Sequence, residues 1–263
     1  MPEGDTLFRT AAGLRPHLVG RVVSAASARQ PGPQVARIVG STITAVESHG
    51  KNLLVRFDNG LELRTHLRMN GSWHRYRPGE SWRRPAARAR LVIEVPGAVA
   101  VCFDAPVVEL FEQRAEHLHP AIGAVGPDLL DPGFGPSDEE EIVRRLRDPA
   151  RATGTISEAL LDQRAVAGIG NIWRNETLFD ERVDPFASVA RLDDSTLRRL
   201  VATARRLLVE SASLARGGAR LRVYRRAGRP CPRCGTVMRS QPLNAELPRT
   251  TYWCPRCQRT KNE

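Results

Sequence analysis

Four cysteines near the end of the chain constrain its fold more than any other feature of the sequence. They form two Cys-Pro-Arg-Cys pairs, Cys231 with Cys234 and Cys254 with Cys257, separated by nineteen residues. Paired thiolates at this spacing are typical of a closed, tetrahedral Zn²⁺ site with a structural role. Such a short segment cannot build its own hydrophobic core, so the metal would supply its folding free energy. Two disulfides are the alternative, and a reducing cytoplasm disfavours them.

Composition and hydropathy indicate a cytoplasmic globular protein of one or two domains. Hydrophobic residues make up 41% and charged residues 26% of the 263 positions, which argues against disorder, collagen and coiled coil. The first residues, MPEGDTLFRT, lack the basic and apolar regions of a signal peptide. No apolar run approaches the ~20 residues of a membrane span, so no membrane partner is expected. The fifth cysteine, Cys102, lies in an apolar segment and is expected to be a buried small hydrophobe.

The charge of the chain is large and unevenly distributed. Lys and Arg number 40 against 29 acidic residues, a net charge of +11. Residues 220–263 carry a net +9 and residues 64–90 a net +7, whereas residues 101–142 hold ten acids and one Arg. Basic segments beside a near-neutral remainder favour a polyanionic partner, most simply nucleic acid. The alternative is a solvated basic surface on an Arg-rich protein.

Lysine is rare in this chain, with only Lys51 and Lys261 among the forty basic residues. Arginine presents a wide planar fork, whereas lysine places a compact charge at the end of a thin stem. Lys51 is therefore a candidate for a narrow binding site that a guanidinium would not fit. Chance survival of one lysine is the alternative.

Hydrophobic periodicity makes the first part of the chain β-rich after one leading helix. Residues 3–15 predict a helix that Pro16 ends or bends. Residues 41–69 and 90–112 predict antiparallel strands, with a hairpin turn at 58–60. Apolar and polar residues alternate through the segment that begins at Leu61, so we expect one buried face and one polar face. The sequence predicts a β-sandwich.

The second part of the chain is helical and ends in the cysteine unit. Residues 120–137 are rich in Pro and Gly and predict a linker between domains. The predicted domains are therefore a β-sandwich over 1–119, a helical domain over 138–228 and a four-cysteine zinc finger over 229–263. The predicted fold class is α+β.

Two further segments carry chemistry that suits phosphate. Gly168-Ile169-Gly170-Asn171 stands before a predicted helix, whose free backbone amides would bind an anion. Asn171 would cap this helix or donate to the backbone. A plain turn is the alternative. Arg249 lies between the cysteine pairs, where a guanidinium would reach phosphate with bidentate geometry. The alternative is one surface arginine among many.

The N-terminus offers a nucleophile. After removal of Met1, Pro2 would carry a free secondary amine beside the carboxylate of Glu3. Amines attack sugar or carbonyl carbons to form iminium intermediates, and an adjacent carboxylate moves protons. Taken alone this signal is weak, because most proteins that begin with Met-Pro-Glu do not use the N-terminus for catalysis.

Taken together and in this order, these features resemble the formamidopyrimidine-DNA glycosylase / endonuclease VIII family. The likeness spans the whole chain, and the Pro-Glu-Gly start looks more like the bacterial endonuclease VIII branch. The segments that carry the resemblance are Pro2-Glu3-Gly4, Ser48 through Leu54, Thr65 through Met69, Leu160 through Ile172, Val223-Tyr224 and Arg249 through Cys254.

The resemblance implies a bifunctional DNA glycosylase/AP lyase of base excision repair. It would excise oxidised bases, pyrimidines favoured, and cleave the strand by β-elimination followed by δ-elimination. Pro2 would attack C1′ of the sugar, Glu3 would act as general acid and base, and Lys51 would grip the phosphate beside the lesion. The domain over 1–119 would be catalytic, and the helical domain would contain a helix–two-turn–helix.

The same resemblance implies the remaining contacts with damaged DNA. His66, Asn171 and Arg249 would bind phosphates, and Met69 would fill the gap left by the everted base. One structural Zn²⁺ would be the only cofactor. The protein would act as a monomer in the bacterial cytoplasm, on DNA of the nucleoid.

Four positions depart from the purine-specific members of the family. Asp5-Thr6 stand where many relatives have Pro-Glu, and Ser157 stands where a Lys is expected. The segment over 104–111 lacks the Arg of an Arg-Phe pair that helps fill the duplex void. The segment over 217–224 is short, which reduces a base-capping loop. These departures weaken an oxidised-guanine preference without establishing the replacement.

Two alternative functions remain open from the sequence. The first is an abasic-site lyase with little glycosylase activity, which the altered recognition positions motivate. The second is a non-enzymatic zinc-finger DNA-binding protein, which the charge and the cysteine pairs motivate equally well. Release of an oxidised pyrimidine separates the first from a glycosylase, and strand cleavage that depends on Pro2 excludes the second.

Overall fold

The computed structural model describes residues 2–214, 218–243 and 249–259 of the chain. Two compact units comprise residues 1–124 and residues 125–263. No described helix combines the length and apolar character that a membrane crossing requires. Two positions named in the sequence analysis lie outside the described residues. They are Gly217, where the short segment over 217–224 begins, and Lys261, the second lysine.

The N-terminal unit is a β-sandwich that follows a single helix, which confirms the predicted architecture of this half. One antiparallel sheet has the order β2-β3-β4-β8 and the other has the order β1-β6-β7-β5. The elements are α1 (Gly4–Leu18), β1 (Ala25–Ala28), β2 (Ile43–His49), β3 (Asn52–Phe57), β4 (Leu61–His66), β5 (Ser72–Tyr76), β6 (Ala89–Val95), β7 (Ala98–Phe103) and β8 (Val107–Glu112). Strands β1 and β5 were not predicted from the sequence. Strand β1 is four residues long and mostly alanine, and β5 is five residues long and includes three polar residues.

One hydrophobic core joins the two sheets and the helix. Leu7 of α1, Leu63 of β4, Trp73 of β5 and Ile93 of β6 are all members of it. The Trp73 indole donates a hydrogen bond of 3.0 Å to Thr65 Oγ, so the polar atom of the largest side chain is satisfied inside the core. This core supports every element that carries a candidate site residue of the unit.

Helix α1 does not end at Pro16, which excludes the first of the two outcomes expected for this proline. It continues to Leu18 with Pro16 inside. Proline removes one helical hydrogen bond, but burial of Leu14 and Leu18, 4% and 0% exposed, favours continuation of the helix.

The polar side of β4 is buried, although alternation predicted a polar face against water. Glu62 is fully buried and Arg64 is 6% exposed. Neighbouring charges explain this, because Arg56 of β3 forms ion pairs with Glu62 at 3.0 Å, with Glu47 at 2.5 Å and with Glu116 at 3.0 Å. The outer face of this sheet is therefore an ionic layer rather than a solvated surface.

The C-terminal unit is helical, as predicted, and two strands pair in its cysteine segment. The helices are α2 (Pro136–Leu146), α3 (Pro149–Ala152), α4 (Ile156–Ala159), α5 (Asn171–Asp180) and α6 (Asp194–Ser213), and β9 (Arg239–Pro242) pairs with β10 (Thr250–Trp253). Helix α4 is only four residues long. Its capping box, formed by Thr155 and Glu158, starts the helix, and the chain turns away after Leu160.

Candidate functional site

The first residues of the chain are fixed by the start of α1. Glu3 is the N-cap residue, and its carbonyl oxygen accepts hydrogen bonds from Thr6 N at 3.0 Å and Leu7 N at 3.1 Å. Glu3 is 1% exposed, whereas Pro2 is half-buried. The helix therefore holds a buried carboxyl group directly beside the residue that would carry the amine.

Lys51 lies in the tight turn between β2 and β3. Gly50 precedes it with φ +57°, a left-handed conformation that glycine adopts without strain. The Asn52 side-chain amide donates to the His49 carbonyl oxygen at 3.2 Å and so closes the turn from inside. Arg64 Nε in turn donates to Asn52 Oδ1 at 2.8 Å. The turn that presents Lys51 is thus braced by a buried side-chain network.

The brace extends from Arg64 to the edge strand of the sheet. Arg64 Nη1 donates to Glu109 Oε2 at 2.6 Å, and His119 Nε2 lies 3.3 Å from the same oxygen. The ring of His119 also packs on Phe111 with 4.8 Å between centroids. Three strands therefore share one polar network behind the Lys51 turn.

His66 ends β4 and pairs in register with Asn52, beside the Lys51 turn. Burial, followed by the nearby charges of Arg64, Lys51 and Arg68, lowers the pKa of His66 to about 4. Its Nδ1 accepts a hydrogen bond from Arg68 N at 3.2 Å. At neutral pH the ring is therefore uncharged, and its proton lies on Nε2, which is left to donate.

Met69 follows in a turn rather than in the strand. Arg68 adopts φ +45°, and the turn is closed by a 2.9 Å hydrogen bond from Gly71 N to the Leu67 carbonyl oxygen. A Cβ at position 71 would lie 2.6 Å from that oxygen, so only glycine fits there. Met69 is 63% exposed, so its apolar side chain is accessible from solvent.

The four finger cysteines converge as the spacing predicted. All four Sγ atoms lie within 4.8 Å of one another, and three Sγ–Sγ distances are 3.4, 3.5 and 3.9 Å. Sulfur atoms around a tetrahedral zinc ion at ~2.3 Å would lie about 3.8 Å apart. The chemistry and the spacing of these thiols therefore fit a metal ion of the zinc type.

Helix α5 holds the finger hairpin through its buried polar side chains. Asn171 Nδ2 donates to the Thr250 carbonyl oxygen at 3.1 Å, and Asn175 Oδ1 accepts from Tyr252 N at 2.7 Å. Arg174 is fully buried, and its Nη2 donates to Asn171 Oδ1 at 2.9 Å. Strand β10 is thereby fixed along the helix.

The start of α5 has a different cap from the one predicted. Gly170, not Asn171, is the N-cap residue, and Asn171 is the first helical residue. Gln163 shapes the preceding turn, because its Oε1 accepts from Gly168 N at 3.1 Å and its Nε2 donates to the Ile169 carbonyl oxygen at 3.0 Å. Gly168 has φ +93°, which accounts for glycine at this position.

Arg249 lies directly before β10 and is half-buried. Its carbonyl oxygen accepts from Leu243 N at 2.9 Å, which extends the pairing of β9 with β10 by one further hydrogen bond. The structure thus brings Asn171 and the strand after Arg249 together in one unit, and Lys51 and His66 together in the other.

The residues that brace these groups were not identified from the sequence. Asn52, Arg64, Arg174 and Glu176 are nine-tenths buried or more. Glu176 accepts hydrogen bonds of 2.8 to 3.0 Å from three consecutive backbone amides, those of residues 222–224. For Arg174 and Glu176 the available signal was a charged residue within a helix, which does not by itself identify the partner. Asn52 and Arg64 lie on strands and gave no such signal.

The chain matches two family models and many known proteins. Residues 1–106 match the N-terminal domain of formamidopyrimidine-DNA glycosylase, and residues 126–223 match its H2TH domain. The probable endonuclease 8 2 of Streptomyces coelicolor is 39% identical, across 98% of this chain and 94% of the relative. The DNA-(apurinic or apyrimidinic site) lyase Nei2 of Mycolicibacterium smegmatis is 36% identical, across 98% and 99%.

A solved structure shows the same fold. The formamidopyrimidine DNA glycosylase of Lactococcus lactis, bound non-covalently to DNA that contains an abasic site, superposes with a TM-score of 0.83. It is 23% identical and covers 98% of this chain and 100% of its own. The matched domains, the cysteine cluster and the full-length relatives agree with one another. The chain belongs to the formamidopyrimidine-DNA glycosylase and endonuclease 8 family of DNA glycosylase/AP lyases.

Proposed function

We propose that this chain is a bifunctional DNA glycosylase/AP lyase that removes oxidised bases, pyrimidines favoured, by way of an iminium on Pro2. One observation carries the proposal: Glu3 is buried as the cap of α1 and holds Pro2 at the start of the helix, in a chain whose relatives over its whole length are endonucleases 8. The enzyme acts as a monomer on nucleoid DNA in the bacterial cytoplasm.

The chemistry starts from the Pro2 amine. Its lone pair attacks C1′ of the damaged nucleotide, and the bond from C1′ to the base breaks with its electron pair on the base, which takes up a proton. The Pro2 nitrogen then loses its proton, and its lone pair opens the sugar ring by breaking the C1′–O4′ bond, whose electron pair stays on O4′ and takes up a proton. The resulting C1′–N⁺ iminium makes the C2′ proton acidic. Loss of that proton expels the 3′ phosphate by β-elimination, and a second elimination releases the 5′ phosphate. Glu3 moves protons beside the sugar during these steps.

Phosphate contacts from both units hold the DNA. Lys51 provides a compact positive charge, and neutral His66 donates from Nε2 to a phosphate oxygen. Asn171 lies at the start of α5, where backbone amides and the helix dipole favour an anion, and Arg249 adds a guanidinium beside β10. Sequence-independent contacts of this kind make binding depend on salt.

The damaged nucleotide must leave the base stack before its C1′ is accessible. Extrusion costs a few kcal/mol, and an apolar side chain inserted into the gap offsets part of that cost. Met69 is the exposed apolar group that we assign to this role.

The bound metal serves the finger rather than the reaction. Cys231, Cys234, Cys254 and Cys257 would hold one Zn²⁺ in a closed site, and the ion would supply folding free energy. Because four thiolates would fill all four coordination positions of the ion, none would be left for substrate.

Duplexes with one thymine glycol, one 5-hydroxyuracil or one abasic site test the proposal. Wild-type protein is expected to release both pyrimidines and to cut all three strands. Pro2→Gly is expected to retain most DNA affinity and to lose strand cleavage by more than a hundredfold. Cleavage of the abasic strand alone would favour the lyase alternative, and no cleavage by wild type would favour a DNA-binding protein.

A further inference from the structure

The loop between β5 and β6 is anchored on its own small aromatic cluster. The Trp82 ring stacks on Tyr76 with 6.2 Å between centroids and meets the edge of Phe103 at 5.8 Å. Tyr76 Oη accepts a hydrogen bond from Arg83 N at 3.0 Å. These contacts fix the backbone on the N-terminal side of Arg84.

Arg84 uses this anchored position to join two other turns. Its Nη1 donates to Asp104 Oδ2 at 2.6 Å and to the Asn70 carbonyl oxygen at 3.3 Å. Asn70 is the residue after Met69, so the guanidinium holds the chain directly behind the exposed methionine. The Arg84 side chain is 27% exposed, and its contact with Asp104 is part-buried, whereas its contact with Asn70 lies at the surface.

Asp104 is itself held in place. It adopts φ +54°, its backbone N donates to the Arg88 carbonyl oxygen at 3.0 Å, and Arg88 Nε donates to Oδ1 at 2.9 Å. Hydrogen bonds from Arg88 and Arg84 lower the pKa of Asp104, so the carboxylate remains charged. Arg84 therefore connects the Met69 turn to a rigid point rather than to a loose loop.

The segment after Asp104 explains why the Met69 turn needs this support. It contains no arginine and enters β8 at Val107, which pairs with His66 of β4. A side chain that enters a duplex must be ordered beforehand, because any freedom lost on insertion weakens the insertion. The Met69 turn is closed from inside by the hydrogen bond from Gly71 N to the Leu67 carbonyl oxygen, and Arg84 adds a contact from outside the turn.

We propose that Arg84 is a positioning residue that clamps the Met69 turn to Asp104 and holds Met69 ready to enter the duplex. The inference rests on the role proposed above for Met69. Arg84 does not touch DNA in this account and acts through the conformation of residues 67–71.

Fluorescence of 2-aminopurine placed opposite an abasic-site analogue reports insertion into the gap, and single-turnover excision of 5-hydroxyuracil reports its consequence. The variants are Arg84→Gln, Arg84→Lys, Met69→Ala and the double variant R84Q/M69A. Arg88→Gln is the matched control, because Arg88 shares Asp104 with Arg84 but is not bonded to Asn70. Thermal melting and metal content verify that each variant folds.

Arg84→Gln is expected to reduce the excision rate about tenfold and to weaken the fluorescence change, with DNA affinity nearly unchanged. Arg84→Lys, which keeps a donor, is expected to recover part of the loss. Arg88→Gln is expected to lose much less than Arg84→Gln, because the backbone hydrogen bond from Asp104 N to the Arg88 carbonyl oxygen still holds Asp104. In the Met69→Ala background the Arg84 substitution is expected to have no further effect.

An equal loss in Arg88→Gln, or an additive loss in the double variant, would overturn the inference, because Arg84 would then stabilise the fold generally. Lack of any effect from Met69→Ala would instead refute the Met69 role in the proposed function, and the clamp with it. An Arg84→Gln defect that requires Met69 supports both.

Discussion

The Lys51 turn and the Arg249 strand each present a cation, but they are built in different ways. The Lys51 turn is braced by Asn52 and Arg64, both on strands of the same sheet. The strand after Arg249 is held from one side by α5 and from the other by the cysteine cluster. One support is part of a hydrophobic sandwich, and the other includes four cysteines whose thiols are placed to bind a metal ion.

This difference shows which interactions stabilise the folded conformation of each unit. In the N-terminal unit the polar brace is a by-product of strand pairing, so it is complete once the sheet forms. In the C-terminal unit the finger has a small core around Val223, Met238 and Phe179, and the metal must supply the rest. Removal of the metal ion should therefore unfold the finger of the C-terminal unit and leave the N-terminal unit folded.

The largest expected effect is that of metal removal. Chelation or Cys254→Ser is expected to unfold residues 231–257 and to reduce DNA affinity by more than tenfold, with the β-sandwich unchanged. DNA titrations measure the affinity, and far-ultraviolet circular dichroism measures the secondary structure that remains. The control is Cys102→Ala, since Cys102 is fully buried in the sandwich core, where burial raises the pKa of its thiol. Full affinity in metal-free protein would contradict the comparison.

Loss of the Glu176 contacts is the next largest effect, and it tests the α5 side of the finger support. Glu176→Gln replaces an acceptor by a donor opposite three backbone amides, and it is expected to destabilise the C-terminal unit by about 1–3 kcal/mol. Urea denaturation followed by tryptophan fluorescence measures it. Glu210→Gln, at an exposed pair with Arg206, should cost less than about 1 kcal/mol. Equal losses would remove the special role of Glu176.

Salt dependence sharpens the comparison at the level of single contacts. Lys51→Ala and Arg249→Ala are each expected to weaken binding to any DNA sequence and to reduce the slope of log affinity against log salt by about 1. In metal-free protein the Arg249 effect is expected to vanish while the Lys51 effect remains. Unchanged slopes in both variants would exclude these residues from the phosphate contacts.

The smallest effect concerns the electrostatics of the Lys51 turn. Arg64→Met removes one of the charges that lower the pKa of His66, so that pKa should rise from about 4 toward its usual value. A folded-state pKa below the unfolded value means that stability is lost as pH falls from about 6.5 through 4. Titration of the His66 ring by NMR measures the shift, with exposed Arg75→Met as control. An unchanged titration midpoint of His66 in Arg64→Met would contradict the placement of Arg64 beside His66.

The patterns that depend on local chemistry were readable from the sequence. The cysteine spacing predicted the convergence of Cys231 and Cys254, and the turn at 58–60 predicted the β3–β4 hairpin. The alternation in β4 gave the right strand but the wrong environment, because alternation cannot tell whether a polar face meets water or other charges. The fate of Glu62 depends on Arg56, Glu47 and Glu116, which only the fold brings together.

The braces behind the candidate site residues were hidden for the same reason. Asn52 and Arg64 are adjacent only through the register of β3 and β4, and Arg174 meets Thr250 across 76 residues of chain. Family likeness supplied the roles of Pro2 and Lys51, which composition and periodicity would have left weak. The sequence alone does not show which residues far apart in the chain form contacts in the fold.

Borohydride trapping tests the central claim, a covalent iminium on Pro2, most directly. Protein confirmed by mass to lack Met1 and to carry zinc is incubated with a duplex that contains one abasic site, and sodium borohydride is added. We expect a covalent adduct whose DNA is attached to the Pro2 peptide, and no adduct from Pro2→Gly. Absence of an adduct, or attachment to Lys51 in wild type, would contradict the account.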